Sequence, residues 1–526
     1  MFPKVMDAQQ LRYPIGIEDF ETIRKGGYLY VDKTDYLHQM LCGSKYFLLC
    51  RPRRFGKSLF LSTALAFFEG KRELFEGLAI SQYDYDWEPS PVLHLNLVSS
   101  DTTTPETFKN SLDWKFKKWE EKYQIKDVSE SLSVRFGDII RTAYERTGKR
   151  VAILIDEYDK PLVSRLDNGT VYDEFRNILL PIYLNLKSCD KYIRMAILAG
   201  ISRFSRMNIF SDLNNLRDIT FSEKYTTLCG ITEEEMLRDC RPGIQRLADY
   251  NEFSYDEAVA RLKNNYDGYH FARHCPDIYN PFSLLSALRK REIGDYWFAT
   301  GTPTFLLKSI LHKGVNLEHY LNSRKANITS LSSIESYSSN IVPMMFQTGY
   351  LTIKGFDREN GYFKLGIPNR EVERGLFRGL MPLLADISGD DAGDFIIDSA
   401  RMLREGNADG FLTGLQTLLA GVSYELTGTK SEIFFENNLY VIFTMLGFDV
   451  QTEYHTSDGR IDVLIRTPKY VYIIELKRDS SPEAALAQIN TKHYEYPFRA
   501  DSRAIVKIGV NFSTATRNLT AWLIES

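Results

Sequence analysis

Tyr46-Phe47-Leu48-Leu49-Cys50-Arg51-Pro52-Arg53-Arg54-Phe55-Gly56-Lys57-Ser58 is the stretch that decides how the first half of this 526-residue chain folds. The apolar run Tyr46 to Cys50 predicts a buried strand. An arginine-rich loop follows, and then LFLSTALAFFEG, a run of good helix formers. A strand that passes through Gly-Lys-Ser into a helix brings backbone N–H groups together on an anion at the helix N-terminus. In such a loop Lys57 adds charge for a phosphate, and the Ser58 hydroxyl can bind Mg²⁺. The full spacing G-x-x-x-x-G-K-[ST] has a glycine where this chain has Arg51. A bare Gly-Lys-Ser/Thr arises by chance in roughly a quarter of chains this long, so it needs a partner.

The partner lies about a hundred residues on, in VAILIDEYDK. Val151 to Ile155 predicts a short buried strand ending in Asp156-Glu157. At the carboxyl end of a parallel strand, Asp156 can hold Mg²⁺ through water and Glu157 can polarise an attacking water. Alone, the two acids read equally well as a solvated strand end. Further strands are expected at Pro91 to Val98 and Arg194 to Ala199, with an amphipathic helix from about Pro105 to Tyr123. Short buried strands alternating with helical patterns imply a parallel sheet covered on both faces. Residues 231–290 read as helical, opening on the cap Thr232-Glu233-Glu234-Glu235. In QTGYLTIKGFDRENGYFKLGIPN the Asn360-Gly361 pair predicts a hairpin, hence a winged-helix-like unit.

Composition narrows the classes further. Apolar residues make up 44% and charged residues 25%, and Lys plus Arg (65) against Asp plus Glu (69) gives a formal net charge of −4. That balance excludes a chain that coats nucleic acid electrostatically. No apolar window is long enough for a membrane span, and the N-terminus lacks a secretory signal. The six cysteines include no C-x-x-C, so buried reduced thiols and a cytoplasmic location are expected.

The end of the chain carries a second pattern, GRIDVLIRTPKYVYIIELK. Residues i and i+2 of a strand share a face, so Glu475 and Lys477 point one way, above Ile473 and Val471. Tyr470, Tyr472, Ile474 and Leu476 make the other face, suited to packing on a helix. If Thr467-Pro468-Lys469-Tyr470 is the turn, Asp462 lies opposite Glu475, within about 5 Å. A longer loop would slip that register. Two facing carboxylates repel unless a cation sits between them, and oxygen-only ligands favour Mg²⁺ or Mn²⁺. Lys477 could then position or activate a nucleophile. The bland alternative is an exposed strand with surface ion pairs. Tyr494, Tyr496 and Phe498 follow the next helix and read as core or packing residues ahead of base-stacking ones.

Residues 13–230 resemble the AAA-ATPase-like family of bacterial proteins, through YPIGIEDFETIRKGGYLYVDKT, RPRRFGKSLFLS, LIDEYDKPL and LAGISRFSRMNIFSDLNNLRDIT. The resemblance implies that Arg-for-Gly in the loop is tolerated and that Arg54, Phe55, Gly56, Lys57, Ser58 and Asp156 bind nucleotide. It also implies that Arg203 or Arg206 contacts the γ-phosphate, unless both only pair with surface acids. Residues 431–512 resemble the PD-(D/E)xK nuclease superfamily, through SDGRIDVLI, YVYIIELK, EAALAQINTKHY and NFSTATRNL. That resemblance implies metal ligands at Asp462 and Glu475, a catalytic Lys477, a supporting Gln488, and a helix acid at Glu432 or, one turn on, Glu436.

The expected fold class is α/β. A P-loop NTPase of AAA type with a parallel sheet (1–230) leads to a helical lid (231–300) and a helical, winged-helix-like middle (301–430). An αβββαβ nuclease-like domain (431–526) completes the chain. The function expected is ATP-controlled, Mg²⁺-dependent cleavage of nucleic acid, DNA ahead of RNA. The rival is a nucleotide switch whose nuclease-like domain binds nucleic acid or a protein partner without cutting. The oligomeric state is open, including a homo-oligomer.

Overall fold

The four apolar runs become β1 Tyr46–Cys50, β2 Val92–Asn96, β3 Val151–Asp156 and β4 Ile193–Gly200 of a five-stranded parallel sheet, and β5 Leu216–Asp218, a short Leu-Arg-Asp strand that no apolar run announced, completes it. Their order is β2-β3-β4-β1-β5, so β1 lies centrally, between β4 and β5. Every residue of β1 and β3 is buried, which is why both read as unbroken apolar runs. The computed structural model describes residues 11–163, 165, 168–203, 215–298, 307, 310, 317–322, 324–332, 341–385, 388–421 and 431–526, without the side chains of 319, 322, 332, 385 and 431–436.

Helix Lys57–Phe68 starts on Gly56, whose φ of 90° is a left-handed conformation that glycine adopts without strain. Helix Pro105–Tyr123 has Thr104 and Thr107 in a reciprocal capping box with Pro105 in the first turn. Four helices follow the sheet: Glu233–Asp239, Arg241–Tyr250, Tyr255–Tyr266 and Pro281–Lys290. They share one core around Ile244, Leu247, Leu262 and Leu284, and the short pair β6 Ile231–Thr232 and β7 Ile278–Tyr279 is tied in at Ile231 and Tyr279. The hairpin expected near Asn360-Gly361 is β9 Thr352–Asp357 with β10 Tyr362–Gly366, and β8 Lys325–Ala326 pairs on the far side of β10. Asp357 accepts from the Glu359 and Asn360 amides and Gly361 takes φ 71°, which fixes the turn.

The chain divides into two compact units, Met1–Trp297 with Arg324–Glu371 and Phe298–Ser323 with Val372–Ser526. In the second unit, helix Ser431–Met445 leads into β11 Asp449–Thr456, β12 Gly459–Arg466 and β13 Tyr470–Arg478. Helix Pro482–Thr491, β14 Ala504–Ser513 and β15 Asn518–Glu525 complete a sheet of order β11-β12-β13-β14-β15. Only β13 and β14 run parallel. β15 goes beyond the expected αβββαβ order. It is an edge strand, exposed at most positions, so its sequence lacks a clean apolar alternation.

Both faces of β13 are covered. Tyr472 donates to the Leu403 carbonyl of helix Gly389–Glu405 at 2.7 Å, while Val471 and Ile473 pack with Ile489 of helix Pro482–Thr491. Among the described residues no helix is long and apolar enough to cross a membrane.

Candidate active sites

The first site lies at the carboxyl ends of β1, β3 and β4. Lys57 is 4% exposed, and its ammonium donates to the Arg51 and Pro52 carbonyls, both at 3.1 Å. Its nearest acid is Glu157, at 3.9 Å. Ser58 is half-buried in the first turn of the same helix. Asp156 ends β3, is 1% exposed, and accepts the Glu157 amide at 3.0 Å. Glu157 takes a left-handed φ of 53°, an uncommon conformation for a residue with a side chain, and one concentrated at functional sites.

Arg51, the departure from the glycine pattern, faces away from this pocket. It is 1% exposed and donates to the carbonyls of Cys50 (2.8 Å), Thr220 (2.8 Å) and Tyr225 (3.1 Å). Its guanidinium also lies 4.4 Å from the Phe271 ring centre. The residue therefore clamps the end of β1 to the segment after β5. Arg54 is exposed with its guanidinium over Phe282, and the Phe55 ring is buried against Tyr269 and Phe271. Arg203 pairs with Asp218 at 2.8 Å. Arg206 lies outside the described residues.

Two contributors to this site carried no sequence signal. Asp159 is fully buried and accepts from Ile201 N (3.0 Å), Ser202 N (2.6 Å) and Ser202 Oγ (2.5 Å), locking the end of β4 to the turn after β3. Burial pushes its carboxyl up to about 6, with Glu157 adding to the effect. Gly200 is required here, since a Cβ would stand 2.4 Å from Asp159 Oδ1. Glu18, ahead of the first helix, feels Asp156, Arg54, Glu157 and Lys57. Its carboxyl is raised, by desolvation first and then by the charge of Asp156.

The second site is on the hairpin of β12 and β13. The ladder pairs Val463 with Ile474 and Leu464 with Ile473, and one further step sets Asp462 opposite Glu475. Asp462 accepts the Leu476 amide at 2.8 Å. Glu475 is 2% exposed, and its Oε1 takes hydrogen bonds from Gln488 and, at 3.2 Å, from Lys477. Lys477 also donates to Gln488 Oε1 at 2.5 Å. Glu475 Oε2 is buried without a hydrogen-bond partner. Burial, and then Asp462, raise the Glu475 carboxyl to about 7; burial raises Asp462 as well.

Tyr494 closes the arrangement from below. Its hydroxyl, in a side chain 2% exposed, meets Gln488 Nε2 at 3.3 Å and the Arg460 amide at 3.3 Å, tying the helix to the start of β12. The sequence marked Tyr494 as a packing residue ahead of a base-stacking one, and its spacing from Gln488 was the available clue. Phe498 is 5% exposed and belongs to the same core, whereas Tyr496 is 46% exposed. Glu432 is on helix Ser431–Met445, but its side chain and that of Glu436 lie outside the described residues. Among the described residues no group of three or more His, Cys, Asp or Glu side chains converges.

An oxygen-only pair of acids, both displaced toward protonation, one with a buried and orphaned carboxylate oxygen, fits a hard divalent cation. Two segments of the chain match known families. Residues 14–210 match the family described as "Predicted AAA-ATPase", and residues 430–522 match the PD-(D/E)XK nuclease superfamily. The uncharacterized protein in the vnfD 5′ region of Azotobacter chroococcum mcd 1 is 33% identical over 539 residues, spanning 98% of this chain and 99% of that protein. This chain belongs to that family, a predicted AAA-ATPase with a C-terminal PD-(D/E)XK nuclease-superfamily domain. Among solved structures, the Aeropyrum pernix ORC2 protein in its ADPNP–ADP complexes is 10% identical, with 72% of this chain and 96% of that chain covered and a TM-score of 0.24. At that score the likeness supports no further statement. Because β1 and β3 run parallel on either side of β4, Lys57, Asp156 and Glu157 come together at the carboxyl end of the sheet.

Proposed function

We propose that this protein binds ATP at the first site and uses its occupancy or turnover to control metal-dependent cleavage of nucleic-acid phosphodiesters, DNA ahead of RNA, at the second. The single observation that carries the nuclease half is the facing of Asp462 and buried Glu475, with Lys477 and Gln488 bonded to each other and to the Glu475 carboxylate. Asp462 and Glu475 would hold Mg²⁺ or Mn²⁺, which supplies charge neutralisation for a scissile phosphate and an oriented water. Gln488 fixes the rotamer of Glu475 and the ammonium of Lys477 together. Lys477 adds a positive charge to the same face, suited to the nucleophile or the phosphate.

At the first site Lys57 would leave the two carbonyls for the β- and γ-phosphates, Ser58 and Asp156 would hold Mg²⁺, and Glu157 would orient water. Residues 1–230 would carry this chemistry, 231–300 would form its lid, 301–430 would link, and 431–526 would cut.

A second reading is a nucleotide switch that engages nucleic acid or a protein without cutting it. Incubation of plasmid and single-stranded DNA with Mg²⁺ or Mn²⁺, with and without ATP, separates the readings. Cleavage by wild type that is lost in Asp462→Asn supports the nuclease, and a changed ATP response in Lys57→Ala supports nucleotide control. Undiminished cutting by Asp462→Asn sinks the metal assignment. No cutting by wild type under any condition favours the switch.

A further inference from the structure

A cavity of about 440 Å³ opens in the first unit between the segment around Arg12, helix Arg241–Tyr250 and the end of helix Pro281–Lys290. Four arginines line it, Arg12, Arg246, Arg289 and Arg291, and its described lining contains no Asp or Glu. Two of them are held in place by aromatic rings. Arg12 donates to the Gly26 carbonyl (2.9 Å) and the Tyr28 hydroxyl (2.8 Å) and lies 4.2 Å from the Tyr28 ring centre. Arg291 lies 4.7 Å from the centre of the Tyr250 ring.

Cations at a helix C-terminus offset the partial negative charge of its carbonyls, which accounts for Arg289 and Arg291. Arg12 and Arg246, the latter hydrogen-bonded to Tyr13, come from other segments to line the same cavity. Like charges gathered without a carboxylate make a local field that draws an anion. Guanidinium forks match phosphate oxygens two at a time. Ile15 and Leu288 add apolar surface for an uncharged body, and the volume is that of an ordinary small-ligand cavity.

The cavity is also offset from the phosphate loop. Phe282, under the Arg54 guanidinium at 4.7 Å, sits in the first turn of helix Pro281–Lys290. Arg289 comes seven residues later, roughly 10 Å along the axis. We infer that this basic cavity binds a phosphorylated small molecule of mononucleotide size, in addition to any nucleotide at Lys57.

Calorimetric titration of the full-length chain with AMP, with the loop first saturated by ADP, tests this. One AMP per chain should bind beside the ADP, at least roughly 10-fold more tightly than inorganic phosphate. Arg246→Gln and Arg289→Gln should each weaken AMP by roughly 10-fold or more while ADP binding stays within about twofold. Arg289→Lys, which keeps the charge and loses the fork, should fall between. Lys57→Ala should weaken ADP and spare AMP. AMP binding abolished by ADP or by Lys57→Ala would make the cavity part of the first site and overturn the inference. So would arginine variants that bind AMP unchanged, phosphate binding as tight as AMP, or a 5′-phosphorylated oligonucleotide outcompeting AMP.

Discussion

The phosphate loop and the carboxylate hairpin handle charge in opposite ways. In the loop the Lys57 ammonium is already satisfied, since it rests on two backbone carbonyls and near Glu157. In the hairpin two acids face each other and one buried oxygen of Glu475 has no partner. The loop is thus complete as it stands and must be opened by its ligand. The hairpin is incomplete and gains from one. The contrast teaches that a backbone-built anion site can stay folded around its own lysine, whereas a strand-built cation site holds buried carboxyls short of partners until a cation arrives.

The sharpest way to break this contrast is to remove an acid from the hairpin. Asp462→Asn and Glu475→Gln should each lower cleavage on the order of 10²–10³-fold or more, measured as initial rate at saturating Mg²⁺. An equal loss in Lys57→Ala without ATP present would show that the two sites are not separable.

Next in size is Arg51→Gly, which restores the expected glycine of the loop. It should not improve nucleotide affinity. It should cost about 3 kcal/mol or more of stability, because the buried carbonyls of Thr220 and Tyr225 lose a charged donor; thermal unfolding with and without ADP reads both effects.

A third test uses pH. The Glu475 carboxyl is raised from 4.5 to about 7, so the folded state holds its proton more tightly than the unfolded state does. Stability from this group is therefore full below pH 4.5 and falls as pH rises to 7, by about 3 kcal/mol in all. Glu475→Gln should remove that decline, and Mg²⁺ should raise the melting temperature more at pH 8 than at pH 6. The smallest expected effect is Tyr494→Phe, which deletes the hydroxyl between Gln488 and the Arg460 amide. It should cost about 1 kcal/mol, with roughly 10-fold slower cleavage.

Much of the fold could be read from the sequence because its signals are local. The run Tyr46–Cys50 before Gly56-Lys57-Ser58, the cap at Thr232 and the turn at Asn360-Gly361 each declare an element within a few residues. β15 was not legible, since an exposed edge strand has no one-sided burial to impose alternation. The candidate sites divide in the same way. Asp462 and Glu475 follow from strand periodicity and a short turn. Asp159, Glu18 and the clamp made by Arg51 depend on partners brought in from tens to hundreds of residues away, and no spacing rule reaches them. Tyr494 falls between, six residues past Gln488 but meaningful only once helix and hairpin meet.

The Arg51 clamp also bears on how such a loop changes over generations. A glycine at that position requires nothing of its surroundings, while an arginine there has gathered three carbonyls that now depend on it. A lineage that has made this exchange cannot return by one substitution without leaving the Thr220 and Tyr225 carbonyls stranded in the interior. The replacement behaves as a ratchet, entrenching an atypical loop by the very contacts that compensate for it.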